Sequence, residues 1–271
     1  MPLSIPVISS PIEAMIFDMD GVLWKSETPI GDLSAFFQSL DQHGIRYGFI
    51  TNNATKTLAT YQQKLQKFGV RVDKASIMNS GQATGFLLQQ HFPNGGPIYV
   101  VGEQGLIDTL ASMGFPHQDD PNLVPVAVVA GLDRGINYQK ISQAATYIRD
   151  YGVPFYGTNA DKTFPTPHGQ VPGSGTIVTA VATASGKEAI MAGKPEPLLF
   201  TRMLEHLNTQ PANTLVIGDR LETDILGGIN AGCPTLLVLS GIAAKKDTDL
   251  LNIHPTLILD EIHDLLKYMH D

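Results

Sequence analysis

Cysteine occurs once in the 271 residues, at Cys233, so no disulfide can form within the chain. A lone thiol suits a reducing compartment, and a cytoplasmic location is the expectation. Basic residues are in the minority, with Lys+Arg 18 against Asp+Glu 26 and a net charge of −8. That balance argues against nucleic acid as a general partner. It leaves a small anionic ligand open, because distant surface charge is screened over about 8 Å at physiological salt. No apolar run approaches the ~20 residues that span a bilayer, so no membrane role is expected. Residues 1–11 lack a basic cluster and are broken by Pro2, Pro6 and Pro11, which does not read as a signal peptide. Internal repeats and low-complexity tracts are missing, and the eight histidines show no zinc spacing. What is present, 43% hydrophobic and 16% charged residues, describes a globular protein of one large or two modest domains.

The organising stretch is Ala14-Met15-Ile16-Phe17-Asp18-Met19-Asp20-Gly21. Its apolar run reads as a buried parallel strand, and ligands bind beyond the carboxyl ends of such strands. An EF-hand loop opens similarly but closes on Glu twelve positions in, where this chain has Pro29. Helical spacing follows over 31–43, a strand over 45–50 ending in Thr51-Asn52-Asn53, and a helix over 55–68. This alternation predicts an α/β doubly wound parallel sheet, with Thr51 on the same edge as Asp18. The pattern restarts near Ser80: helix 82–91, strand 97–101, helix 104–113, strand 125–130, helix 138–150 and strand 153–157. A second α/β domain over 80–185 is therefore expected, inserted into a core made of 1–79 and 186–271. Pro165, Pro167, Pro172 and Gly173 mark the return path. Lys194 then precedes a helix over 195–208, with Pro195 as its first residue. Strand 214–218 runs into Asp219, and 219–224 opens a helix ending near Gly232. Strands 235–239 and 256–259 and helix 261–269 complete the sheet.

Three strands assigned to one sheet thus end in Asp18, Thr51 and Asp219, and a loop supplies Lys194. Crowded carboxylates repel by roughly 4 kcal/mol per pair at about 4 Å and an effective dielectric near 20. A hard divalent cation removes that cost, and magnesium favours one or two carboxylates plus waters and phosphate oxygens. Donors at Thr51-Asn52-Asn53 suit a phosphate group. The pattern reads as Mg2+ plus phosphate.

Four ordered signatures carry a resemblance: Asp18-Met19-Asp20-Gly21, Ile50-Thr51-Asn52-Asn53, Gly193-Lys194-Pro195 and Gly218-Asp219-Arg220-Leu221-Glu222-Thr223-Asp224. Together they resemble the haloacid dehalogenase-type phosphatases. The Thr-Asn-Asn triplet, Gly193–Pro197 and the cap stretch 158–165 are similar to the nitrophenylphosphatase-like branch, which carries a large α/β cap. The resemblance implies that Asp18 attacks phosphorus to form an aspartyl-phosphate, and that Asp20 protonates the leaving oxygen and then activates water. It implies Mg2+ held by Asp18, the Asp20 carbonyl and Asp219, with Asp224 holding metal waters or Lys194. Thr51, Asn52, Asn53 and Lys194 would bind the phosphoryl group of a small phosphorylated metabolite lodged between cap and core. Asn159 and Asp161 are cap candidates for substrate contact.

Plainer readings stand beside these. Each aspartate alone could be a helix cap, Lys194 a solvated lysine, and Asn159 with Asp161 a local Asx turn. Gly102–Gly105 lacks a full dinucleotide fingerprint and reads as a tight turn, and Pro172–Thr176 reads as a turn with a helix start. Cys233 reads as a small buried residue. Trp24 is either a cover for the site or a core anchor. The same aspartyl-phosphate chemistry would serve a phosphotransferase or mutase, or a phosphoacceptor or metabolite-binding module without turnover. A homodimer through the cap is left open.

Overall fold

The computed structural model describes residues 3, 5–166 and 169–269, so Pro167 lies outside the described residues. In chain order the elements begin with β1 (Ala14–Phe17), β2 (Trp24–Lys25), β3 (Thr28–Pro29), α1 (Leu33–Gln42), β4 (Arg46–Thr51), α2 (Leu58–Lys67) and β5 (Ile77–Asn79). Then come α3 (Ser80–His91), β6 (Ile98–Val101), α4 (Gln104–Ser112), β7 (Ala127–Ala130), α5 (Tyr138–Asp150) and β8 (Phe155–Gly157). They are followed by β9 (Thr163–Thr166), β10 (Gly169–Pro172), α6 (Ser174–Ser185) and β11 (Ile190–Met191). The last stretch holds α7 (Leu198–Leu207), β12 (Thr214–Gly218), a π-turn (Leu221–Ile225), α8 (Leu226–Asn230), β13 (Thr235–Val238), α9 (Asp247–Leu251), β14 (Leu257–Leu259) and a 3₁₀ segment (Ile262–Tyr268).

Two compact units result. The first takes the described residues of Met1–Thr51, Leu58–Met78 and Lys194–Asp271, and the second takes Asn52–Thr57 and Asn79–Gly193. The first unit is built on the sheet β14-β13-β12-β1-β4-β5. β1 lies between β12 and β4, parallel to both, with all four residues buried. A strand covered on both faces needs apolar side chains throughout, and Ala-Met-Ile-Phe supplies them. Phe17 anchors the core, 5.2 Å from Phe37 and 6.0 Å from Phe36 and Phe49 between ring centroids. Full burial of each such side chain contributes about 1.5–3 kcal/mol. α1 presents Leu33, Phe36, Phe37 and Leu40 to this cluster, and the chain turns at Gly44, φ 70°.

The second unit has a parallel sheet of order β11-β8-β7-β6. Side chains alternate across it. Ile98 and Val100 join Leu88, Leu106 and Leu110 from α3 and α4, while Tyr99 and Val101 join Tyr147, Ile148 and Val181 from α5 and α6. This two-residue period on a sheet clad with helices is what the alternating sequence predicts. β11 pairs with β8, so this unit runs to Gly193, past the expected end at residue 185.

Other boundaries differ for local reasons. α7 starts at Leu198 with Pro197 as its cap, not at Pro195, whose carbonyl instead accepts from Asn230 Nδ2 at 3.2 Å. The helix expected from residue 219 is a π-turn followed by the five-residue α8. The short hairpins β2–β3 and β9–β10, the strand β5 and the helix α9 were not evident from periodicity, because most span too few residues to show one. Gly173 and Gly175 flank the start of the full helix α6. A Cβ at either would lie within 2.4 Å of the Asp161 or Ala160 carbonyl oxygen.

Candidate active site

Register brings the first unit's polar residues together. Phe17 is paired with Phe49 on one side and Ile217 on the other, so Asp18 leaves β1 with Thr51 and Asp219 each one step further along β4 and β12. The Asp18 N–H still donates to Ile217 O at 2.8 Å. Asp18, Thr51, Asp219, Asp224 and Lys194 are all buried.

Lys194 is 2% exposed, and its Nζ lies 2.5 Å from Asp18 Oδ1 and 2.7 Å from Asp224 Oδ1. The other Asp224 oxygen accepts from the main-chain N–H groups of Asp219 at 3.2 Å and Arg220 at 3.0 Å. Asp224 therefore grips Lys194 with one oxygen and shapes the π-turn with the other. π-turns of this kind concentrate at functional sites. Gly218 permits the approach, since a Cβ there would stand 2.1 Å from that of Asp224. Carboxylate oxygens of Asp18, Asp219 and Asp224 lie within 4.8 Å of one another. Three carboxylates against one ammonium leave an excess of negative charge, which suits a divalent cation.

Burial pushes the Asp18 carboxyl well above its usual range, Lys194 pulls it back, and Asp224 and Asp219 add to the rise. Burial likewise raises Asp219 to about 7, helped by Asp224 and opposed by the Ile242 N–H, Arg220 and Lys194. Lys194 is pulled down by burial, but Asp18 and Asp224 outweigh it and hold the ammonium firmly charged. In each case desolvation penalises the charge and a neighbour decides the outcome.

The side chain of Asp20 does not join the carboxylate trio. Its Oδ1 accepts from Trp24 Nε1 at 2.8 Å, and Trp24 is fully buried against Phe68. Trp24 is thus a core anchor that also holds an acid. Two contributors were not evident in the sequence. The loop after β13 places Ile242 N–H 2.9 Å from Asp219 Oδ2, and Ser240 Oγ donates to Gly21 O at 2.7 Å. Gly241 admits Asp219, because a Cβ there would meet its Oδ2 at 2.0 Å. Tyr61 of α2 is buried beside Asp20 and Asp18 and shares a hydroxyl hydrogen bond with Thr51; burial first, then the two carboxylates, raise its pKa well above the ordinary value. A Ser-Gly pair after an apolar strand is the only signal for the loop, and Tyr61 carries none beyond its place in the helix expected over 55–68.

Asn52 and Asn53 belong to the second unit. The Asn52 carbonyl accepts from Ser80 Oγ at 2.5 Å and Asn159 Nδ2 at 2.7 Å, and Asn52 Nδ2 donates to Asp161 Oδ2 at 3.2 Å. Asn159 Oδ1 accepts from the Asp161 N–H at 3.1 Å, which is an Asx turn. Asn53 Oδ1 accepts from the Thr55 N–H and hydroxyl.

The first unit thus carries a doubly wound α/β sheet whose edge gathers buried carboxylates around one lysine, an arrangement of charge that suits a divalent cation. Residues 15–116 match the model of haloacid dehalogenase-like hydrolases, and residues 191–265 match a second, HAD-hydrolase-like model. The chain is 32% identical to glycerol-3-phosphate phosphatase of Gallus gallus, over 96% of this chain and 93% of that one. It is 30% identical to an acid sugar phosphatase of Staphylococcus saprophyticus, over 94% and 97%. Its fold matches 4-nitrophenylphosphatase of Thermotoga maritima with a TM-score of 0.88 at 28% identity, covering 96% of this chain and 98% of the other. The chain belongs to the haloacid dehalogenase-like hydrolase family, in its nitrophenylphosphatase-like branch, and is a phosphoric monoester hydrolase. Phosphatases of this family use a divalent metal, and the buried aspartate trio fits one. Among the described residues no helix is long and apolar enough to cross a membrane.

Proposed function

We propose that the protein hydrolyses small phosphate monoesters through an aspartyl-phosphate on Asp18, with Mg2+ as the cation. The observation that supports this most is the buried contact of Lys194 with Asp18 and Asp224 beside Asp219. Asp18, Asp219 and the Asp20 carbonyl are the proposed ligands. Bound there, Mg2+ supplies charge neutralisation for the phosphoryl oxygens. Asp224, committed to Lys194 and two main-chain N–H groups, orients rather than ligates.

An Asp18 oxygen bonds to phosphorus in line as the P–O ester bond breaks, its electron pair leaving with the ester oxygen. Asp20 gives that oxygen a proton. Asp20 then takes a proton from water, whose oxygen bonds to phosphorus as the Asp18–phosphorus bond breaks. The electron pair returns to Asp18, Asp20 is protonated again, and inorganic phosphate leaves. Lys194 balances the charge on Asp18 and the phosphoryl group, and the Thr51 hydroxyl with the Asn52 and Asn53 main chain takes phosphoryl oxygens. Asn159 and Asp161 act through Asn52, which they hold. The names of the relatives favour sugar and polyol phosphates over larger esters. The single buried Cys233 favours a reducing, cytoplasmic setting.

The test is a panel of sugar, polyol, glycolate, nucleotide and p-nitrophenyl phosphates, assayed for inorganic phosphate after chelation and Mg2+ add-back. Release that depends on Mg2+ and vanishes in Asp18→Asn is the expected result. Isomerised product without free phosphate would make the protein a mutase. A phosphorylated Asp18 that never turns over would make it a switch.

A further inference from the structure

The geometry points to Trp24 as the positioning residue for Asp20, fixing which carboxyl oxygen delivers the proton to the leaving group. This inference rests on the acid–base role proposed for Asp20. Trp24 is the chain's sole tryptophan and is 0% exposed. An indole has one polar atom and can only donate, and that N–H is aimed at Asp20 Oδ1 at 2.8 Å. The loop is cross-tied so that the indole cannot drift. Gly21 N–H donates to Trp24 O at 2.8 Å, Leu23 N–H donates to Met19 O at 2.9 Å, and Trp24 pairs with Pro29 across the β2–β3 hairpin. The ring is 5.8 Å from that of Phe68, and Lys64 Nζ sits 4.4 Å from its centroid. Lys64 is itself held by Ser26 O and by Glu27 at 3.3 Å.

The chemical consequence is regiospecific. Oδ1 serves as acceptor of an N–H, so the transferable proton rides on Oδ2, the oxygen left to meet the ester. When the P–O bond to the leaving group breaks and the Asp18–phosphorus bond forms, the Oδ2 proton passes to the departing oxygen, and Asp20 remains as a carboxylate stabilised by the indole. In the second half-reaction Oδ2 recovers a proton from the attacking water. Without the N–H, the carboxyl can rotate and place its proton on either oxygen.

The experiment compares two esters of nearly equal shape, phenyl phosphate and p-nitrophenyl phosphate. Nitrophenolate departs readily without a proton, whereas phenolate needs one. The variants are Trp24→Phe, which drops the N–H, and a replacement of Trp24 by 3-benzothienylalanine, in which sulfur stands for the N–H at near-constant shape. The second variant settles the matter where the first fails to fold. Asp20→Asn is the reference, and kcat/KM is read because it reports steps up to the first phosphoryl transfer.

Both Trp24 variants are expected to lose about tenfold more kcat/KM on phenyl phosphate than on p-nitrophenyl phosphate, with KM little changed. The same selective loss appears in Asp20→Asn, larger and on the order of 10²–10⁴. Equal losses on the two esters, or none, in the benzothienylalanine protein would overturn the role of Trp24. If Asp20→Asn itself shows no leaving-group selectivity, the acid–base reading of Asp20 fails first, and this inference falls with it.

Discussion

At the scale of single residues, the site is a balance between burial and charge pairing. Lys194 is the one cation that faces both Asp18 and Asp224 among the described residues. Lys194→Met leaves those carboxylates buried and unpaired, a change that costs about 3–5 kcal/mol. Urea denaturation without metal should show that loss, and less of it as the pH is lowered and protonation relieves Asp18, whose carboxyl burial already holds above its usual range. Phosphate release should fall at least a hundredfold. Asp219 sets the pH response. Its carboxyl sits at about 7 in the folded chain against an ordinary 3.8. Its contribution to metal-free stability is therefore greatest below about 4 and is lost as pH rises towards 7. A divalent ion needs the carboxylate, so the rise in Tm on adding Mg2+ should be small at pH 5, grow through about 7 and then level off. A Tm rise independent of pH would remove Asp219 from the ligand set. That Asp18, Lys194, Asp219 and Asp224 come together was legible in the sequence, because each stands in a signature at the end of a strand or the start of a helix. Tyr61 and Ile242 were not, because one acts through a core aromatic and the other through a main-chain N–H, and neither leaves a compositional mark.

At the scale of elements, alternation read from the sequence predicts the parallel sheets because buried strands and amphipathic helices carry distinct periods. β1, β4, β12 and β13 all emerged this way. The π-turn did not. Its residues, Leu221–Ile225, have the composition of an ordinary helix start, and what widens the turn is Asp224 reaching back to the N–H groups of Asp219 and Arg220. Gly218 is the permissive residue. Gly218→Ala would force a Cβ into Asp224, and overpacking of this kind costs about 1–3 kcal/mol. Since the displaced Asp224 also releases Lys194, Gly218→Ala should lower kcat by more than its drop in Tm would suggest. The start of α7 was misplaced at Pro195 for a related reason: proline favours the first helical position, but here a tertiary hydrogen bond from Asn230 engages its carbonyl.

At the scale of the whole molecule, the described hydrophobic clusters each stay within one unit. Leu110→Ala, in the second unit, should cost about 2–5 kcal/mol through the cavity it leaves. Its Mg2+ affinity, measured calorimetrically on the folded protein, should stay within about twofold of the parent. The chain passes from one unit to the other four times, after Thr51, Thr57, Met78 and Gly193. Two of the four signatures are thus divided between units, which the continuous triplet Thr51-Asn52-Asn53 gave no hint of. One further property belongs to the molecule entire. Because the only indole in 271 residues is hydrogen-bonded to Asp20, every photon of tryptophan emission originates beside that carboxyl group. The protein carries its own optical probe, and cation or phosphate titrations can be followed without attaching a label.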